Sequence, residues 1–162
     1  PKLSDVERTI HDTIVKAFNP QWEKTFWHNG KEWLARSEGR GTRKRSTAHV
    51  VLTRGTGIIK INGDEDFWKR WGIINDRMMA AQPFYLTKTC GVYDCHVAVQ
   101  GGGLSGQAGA MRLAIARALY EANPSCSADL KQAMALYEDH RQRIPKTDAQ
   151  PGAYARKSWS KR

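Results

Sequence analysis

Apolar residues about one turn apart open the chain. Leu3, Val6, Ile10, Ile14 and Phe18 line one face of an amphipathic helix over 3–18, with Ser4 or Asp5 placed to cap its first free amides. Asn19-Pro20 stops that helix, and residues 20–38 carry Trp22, Phe26, Trp27 and Trp33 among polar groups in no regular period. Such a segment packs across its own body or docks on a partner. Thr47 to Leu52 is β-prone, Gly55 and Gly57 supply a turn, and Ile58 to Ile61 is β-prone again, which predicts a hairpin before Asn62-Gly63 turns the chain once more. In 64–81 the spacing of Phe67, Trp71, Ile74 and Met78 predicts one or two short helices, weakened at Gly72. Phe84 to Leu86 reads as a short strand. Val92 to Gln100 alternates, with Tyr93, Cys95, Val97 and Val99 on one face and Asp94, His96 and Gln100 on the other, as in a strand with one buried face. After Gly101-Gly102-Gly103, residues 105–121 place Ala108, Met111, Ile115, Ala118 and Leu119 on one side of the strongest helix, whose alanines allow a sheet to approach closely. Asn123-Pro124 ends it, 128–137 offers a second short helix, and 139–162 is polar, basic and aperiodic, hence extended.

The charge changes this picture by dividing the chain. Its 162 residues suit one domain with flexible ends, and 26 lysines and arginines against 16 acids give a net charge of +10. Residues 1–38 carry six basic and six acidic groups, 39–60 six basic and none acidic, and 131–162 eight basic and three acidic, around a nearly neutral middle. A folded body with a charged loop and a charged tail, both suited to phosphate, is the reading that follows. The expected organisation is an amino-terminal extension over 1–38, an α+β body over 39–138 and a basic extended tail over 139–162. Three cysteines, Cys90, Cys95 and Cys126, do not make a disulfide scaffold, and no apolar run approaches the ~20 residues of a membrane-spanning helix.

Candidate chemistry is sparse. Gly101-x-Gly103-x-x-Gly106 follows a strand and opens a helix as a dinucleotide fingerprint does, which keeps a small dinucleotide-binding enzyme as an alternative. Against it, YEANPSCSADL stands where the next parallel strand should bring an acid to the ribose. The glycines serve either to expose amides at a helix start, where an anion is favoured, or only to permit a tight turn and close packing. His96 beside Cys95 hints at metal, yet alternation sends them to opposite faces and no second Cys/His pair follows. Asp94 and His96 share a face without a nucleophile, and Asp64 and Asp66 flank a helix start. No catalytic set emerges, and no metal or cofactor is expected.

The basic run is more specific. Gly39-Arg40-Gly41-Thr42-Arg43-Lys44-Arg45-Ser46 sets Arg40, Arg43, Lys44 and Arg45 just before a strand, with glycines that let the backbone lie close to a surface, and phosphate contact is its best use. This run, GRGTRKRSTAHV over 39–50, is followed in order by Gly57-x-Ile59, Ile61-Asn62-Gly63, Tyr93-Asp94, the dense GGGLSGQAGAMRLAIARAL over 101–119, Ala155-Arg156-Lys157 and the terminal Ser160-Lys161-Arg162. The collinear series resembles the family of the ninth protein of the small ribosomal subunit over about three quarters of the chain.

That resemblance implies an α+β body similar to the second domain of ribosomal protein five, bound to small-subunit ribosomal RNA in the head, with a long tail reaching toward the peptidyl-site transfer RNA. It implies RNA-backbone contact by Arg43, Lys44, Arg156 and Lys157, transfer-RNA contact by Lys161 and Arg162 at the tail end, and no catalysis; the basic run, the glycine turn with its helix, and the tail add Arg40, Arg45, Gly102, Gly103, Gln107, Arg112, Arg141, Arg143 and Lys146 as expected RNA contacts, and Ser160 beside the tail-end pair. Where the family commonly runs Asp-Pro-Arg-x-x-Glu-Arg-Lys-Lys, this chain has Asp139-His140-Arg141-Gln142-Arg143-Ile144-Pro145-Lys146-Thr147, and Asp148 and Pro151 follow, so the basic track is thinned there. Residues 1–38 lie outside the resemblance; they are expected to bind a neighbouring ribosomal protein or to cover their own sheet. The extended aromatic front makes an organellar ribosome, and a mitochondrial one in particular, the expected location, with a cytoplasmic or plastid one as the alternative. A non-ribosomal RNA-binding module is the other competing function.

Overall fold

The computed structural model describes residues 24–63 and 65–161. The helix expected over 3–18, Trp22 and the terminal Arg162 lie outside the described residues. Among the described residues, seven strands and four helices make an α+β fold: β1 (Thr25–His28), β2 (Lys31–Leu34), β3 (Arg36–Arg43), β4 (Ser46–Arg54), β5 (Ile59–Ile61), β6 (Glu65–Asp66), α1 (Phe67–Arg70), α2 (Ile74–Leu86), β7 (Tyr93–Gln100), α3 (Leu104–Ala122) and α4 (Ser127–Gln132), the last reached through a 3₁₀ turn at Pro124–Cys126. β1 and β2 form a separate hairpin, and the main sheet runs β3-β4-β7-β5-β6, with β5 parallel to β7 and the other neighbours antiparallel.

β7 and α3 form as their periodicities predict. Tyr93, Cys95, Val97 and Val99 face the core, and α3 buries Ala108, Ala110, Met111, Ala114, Ile115, Ala118 and Leu119 against the sheet. The opposite sheet face, with Arg40, Thr42, Thr47, His96, Ala98 and Gln100, is exposed among the described residues.

Several expectations give way. β4 does not pair with β5: it is flanked by β3, with Gly39 opposite Val50, and by β7, with Val97 opposite Val50. The basic run is therefore a strand rather than a loop, and only Lys44 and Arg45 form the turn. Gly39 and Gly41 serve contact with α3, not with an external surface. A Cβ at Gly39 would overlap the carbonyl of Ala114 and the amide of Ala118, and one at Gly41 would overlap the carbonyl of Ala110 and the amide of Ala114. Strand backbone thus lies directly on helix backbone, which only glycine against alanine permits.

The boundary expected at Gly39 falls inside β3, and the residues before it are built into the body. Asn29 and Gly30, both at positive φ, make the two-residue turn that joins His28 to Lys31. The hairpin drives Phe26 and Trp33 into the core, each edge-on to Tyr93, while Trp33 donates its indole proton to the His28 carbonyl. Of the two roles open for this front, residues 24–38 take the covering one. Residues 84–86 belong to α2, not to a strand, because Asp76, Ala80, Pro83 and Phe84 are buried at helical spacing. The buried stripe is offset from the expected one, and Ile74 and Met78 are about two-thirds exposed.

Candidate nucleic-acid interface

The turn between β3 and β4 is seated by the glycine loop ahead of α3. Arg43 stands opposite Ser46, Lys44 adopts a left-handed φ of 57°, and Ser46 Oγ donates to the Gly101 carbonyl at 3.1 Å. Gly101 and Gly102 sit at φ 75° and 61°, and side chains there would overlap Arg45 and Ser46. Within α3, Gly106 leaves room for Ser46 and Gly109 for the Arg43 side chain. The ground a dinucleotide would need is filled by the protein's own turn, and among the described residues no strand follows α3, so the dinucleotide-binding reading falls.

Around this turn the two basic tracts meet. One cleft is lined by Arg43, Lys44, Arg45, Gly102, Gly103, Arg141, Gln142 and Arg143 with a single carboxylate, Asp139, and a second continues from Arg45 and Arg143 to Lys146 and Pro151. The tail returns to the body because Glu138 ties it down: its carboxylate accepts from the Thr42 hydroxyl and from Arg117 Nη2 at 2.7 Å, while Arg117 Nη1 donates to the Arg40 carbonyl. The Thr42 and Arg117 bonds hold the Glu138 carboxyl below the usual carboxylate range. Next to it, Asp139 forms a two-pronged pair with Arg141, Nε to Oδ1 at 2.9 Å and Nη2 to Oδ2 at 2.7 Å, which depresses the Asp139 carboxyl well below its ordinary value. Gly103, which lines the same cleft, stands at the start of α3 with no side-chain cap. Cations and an open helix start of this kind favour an anion.

Not every expected contact belongs to this surface. Gln107 is 8% exposed and wholly engaged inside, donating to the Gly101 carbonyl and accepting two bonds from Arg70, at 2.8 and 3.3 Å. It positions the glycine loop and is not a surface contact. Arg112 also turns inward, with Nη2 bonded to the Ala133 carbonyl at 2.6 Å. Arg40 projects on the open sheet face, beside His49 and Gln100, apart from the turn. Arg156, Lys157, Ser160 and Lys161 are exposed further along the tail.

One carboxylate that the sequence placed beside His96 has a structural task. Asp94 Oδ1 accepts the amides of Thr56, Gly57 and Ile58 at 2.8–2.9 Å, pinning the connection from β4 to β5. Burial alone would raise this carboxyl; the three amides and His96 outweigh it and hold it below the usual range. Cys95 and Cys126 are buried, and burial raises both thiols, Cys126 to about 11. Among the described residues no group of three or more His, Cys, Asp or Glu side chains is placed to hold a metal ion.

The fold and this cleft define a small α+β protein with a prepared surface for polyanions. Residues 41–162 match the family model described as ribosomal protein S9/S16, and the chain belongs to that family. Relatives named small ribosomal subunit protein uS9 are 43% identical over 124 residues in Maridesulfovibrio salexigens, covering 75% of this chain and 93% of the relative. In Mycoplasmoides gallisepticum identity is 42% over 127 residues, with 77% and 95% covered, and in Borreliella afzelii 41% over 126 residues, with 78% and 92% covered. The family is one of structural ribosomal proteins, and the chain is not an enzyme.

Proposed function

We propose that this protein is a constituent of a small ribosomal subunit, docking on head-region ribosomal RNA through the cleft between the β3–β4 turn and the root of the tail. The meeting of Arg43, Lys44, Arg45, Arg141 and Arg143 at the open start of α3 carries the reading. Phosphates fix such a body in place, and the shape of folded RNA selects the site. Arg40 serves a separate contact on the open sheet face, and Lys146, Arg156 and Lys157 follow RNA along the tail. The tail end, Ser160, Lys161 and Arg162, reaches toward the peptidyl-site transfer RNA. On the same reading the body is similar in plan to the second domain of ribosomal protein five, and superposition of the two tests that.

Co-sedimentation with small subunits after a high-salt wash, with crosslinks from Lys44, Arg45 and Arg143 to head RNA, is the expected result. Recovery only in free fractions overturns the proposal. Deleting Ser160-Lys161-Arg162 should leave the unfolding midpoint unchanged and weaken retention of transfer RNA at the peptidyl site; undiminished retention removes that role. The proposed compartment is the mitochondrion, supported by the neutral, aromatic stretch ahead of the family match at residue 41. Protease-protected recovery from the matrix is the check, and recovery with cytoplasmic or plastid ribosomes would reassign it.

A further inference from the structure

The apolar positions of α2 form two stripes. Ala80, Pro83 and Phe84 are buried in the body, whereas Ile74 and Met78, one turn apart, look outward. These two line a groove of about 540 Å³ with Ile58, ahead of β5, and Trp68 of α1. At roughly 30 Å³ per water the groove holds well over ten waters, which an apolar occupant would release. Ile58, Trp68, Ile74 and Met78 are each 54–68% exposed, and nothing among the described residues covers them. A contiguous exposed apolar patch of this kind marks a site of interaction.

The groove is shaped in advance. Arg77, in its lining, donates to the carbonyls of Trp71 and Trp68, and its guanidinium stands 5.4 Å from the centre of the Trp68 ring. Phe67 meets the same indole edge-on at 5.6 Å. Trp68 is thereby held in place before anything covers it, so little side-chain freedom is lost on docking. The charged groups of the lining are one base and one acid, Arg77 and Asp66, and the acid is paired with Lys69 at 3.3 Å. Such a wall does not suit a polyanion, in contrast to the cationic cleft at the β3–β4 turn.

An occupant is within reach on the same chain. Residues 1–23 hold three basic and four acidic groups together with the apolar stripe of Leu3, Val6, Ile10, Ile14 and Phe18. One apolar face without a cationic excess fits a hydrophobic groove, not RNA. The segment joins the body at Lys24, whose carbonyl accepts the Ala35 amide at 2.9 Å. The Ala35 carbonyl accepts the Arg54 amide at 2.8 Å, and three residues beyond Arg54 stands Gly57, in the wall of the groove. Two strand spacings of about 5 Å and three residues of chain put that wall within roughly 20 Å of Lys24. Residues 19–23 span about 17 Å when extended and a helix over 3–18 adds about 24 Å, enough to reach the groove and lie along it.

We propose that the amphipathic helix expected over 3–18 docks in this groove, its apolar stripe against Ile58, Trp68, Ile74 and Met78. The front of the chain would then close over the body twice, once as the β1–β2 hairpin and once as this helix.

Photo-crosslinking of the free full-length chain, with Met78→benzoylphenylalanine, tests this. Met78 is exposed, so the body should fold unchanged. The expected product is a crosslink within one chain to a peptide from 3–18, with the mobility of a monomer. Ile10→Asp combined with Ile14→Asp breaks the stripe without touching the described body, and should lower that yield severalfold while cooperative unfolding is kept. Asp12→Asn, on the polar face, should leave the yield unchanged. A crosslink to a second copy, a yield indifferent to the Ile10→Asp and Ile14→Asp pair, or no crosslink to 3–18 overturns the proposal. So does a crosslink that forms only with a neighbouring protein in assembled subunits. None of these results bears on the RNA-binding reading, which rests on a different surface.

Discussion

Gly41 and Asp94 show how single positions hold this molecule in shape. Gly41→Val would thrust a branched side chain into the backbone of α3 at Ala110 and Ala114, where no rotamer escapes the overlap. Overpacking typically costs about 1–3 kcal/mol, and contact with backbone on both sides puts this substitution at the upper end or above. Chemical denaturation should show a lowered midpoint with cooperativity kept. Asp94 acts by charge. Its folded-state carboxyl is held below the unfolded value, so the stability it supplies is fully present above the ordinary carboxylate range near 4 and is lost as pH falls through the folded value. Asp94→Asn keeps a neutral acceptor for the same amides and should lose about 1 kcal/mol at neutral pH, roughly the difference between charge-assisted and neutral hydrogen bonds. Urea melts across pH should also show a shallower acid limb in the variant than in the wild type.

At the scale of elements, the β1–β2 hairpin precedes the family match at residue 41 and yet seals the core. Trp33→Ala should cost about 3–5 kcal/mol in thermal or chemical unfolding, the usual range for a large buried aromatic. A loss below about 1 kcal/mol would make the hairpin an ornament. Legibility differed among elements for physical reasons. β7 and α3 were readable because each buries a regular stripe of side chains, at periods of two and 3.6. β3 was not, since the inward residues of this edge are Ala35, Ser37, Gly39 and Gly41. Its buried face is filled by the helix backbone, and a glycine in that row carries no hydrophobic signal. The β1–β2 turn was readable in principle from Asn29-Gly30, a strong short-range hairpin signal hidden by the irregular aromatics around it. In the candidate interface, the four cations of 39–46 were visible as charge, but their separation was not. Strand alternation sends Arg40 to the open face, and the glycine at 109 draws Arg43 inward. Gln107 sits on a glycine-rich helix start and looked like an RNA ligand; its burial depends on Arg70, distant in sequence and silent in any local pattern.

For the whole molecule, charge placement matters more than the total of +10. Lys44→Ala with Arg143→Ala removes two cleft cations and touches no core residue, so unfolding should be unchanged. RNA affinity should fall, and the slope of log affinity against log salt should flatten by roughly 0.7–0.9 for each phosphate that is no longer neutralised. An unchanged slope would place RNA elsewhere. Acidic conditions have a distinct effect on this surface. Protonating Glu138 releases the tail from Thr42 and Arg117, and the depressed carboxyl delays that release to pH below the ordinary carboxylate range.

The two walls of the cleft come from opposite ends of the described chain, with Lys44 and Arg45 on one side and Arg141 and Arg143 on the other. Synthesis proceeds from the amino terminus at about 5–20 residues per second, so the early cations emerge well before the late ones. A nascent chain cut short ahead of Glu138 displays loose positive charge with neither the second wall nor the carboxylate tether that orders it. On the proposed docking, a chain cut short ahead of Glu138 lacks Arg141, Arg143 and the carboxylate tether, and should bind RNA more weakly than the full chain in a filter-binding titration.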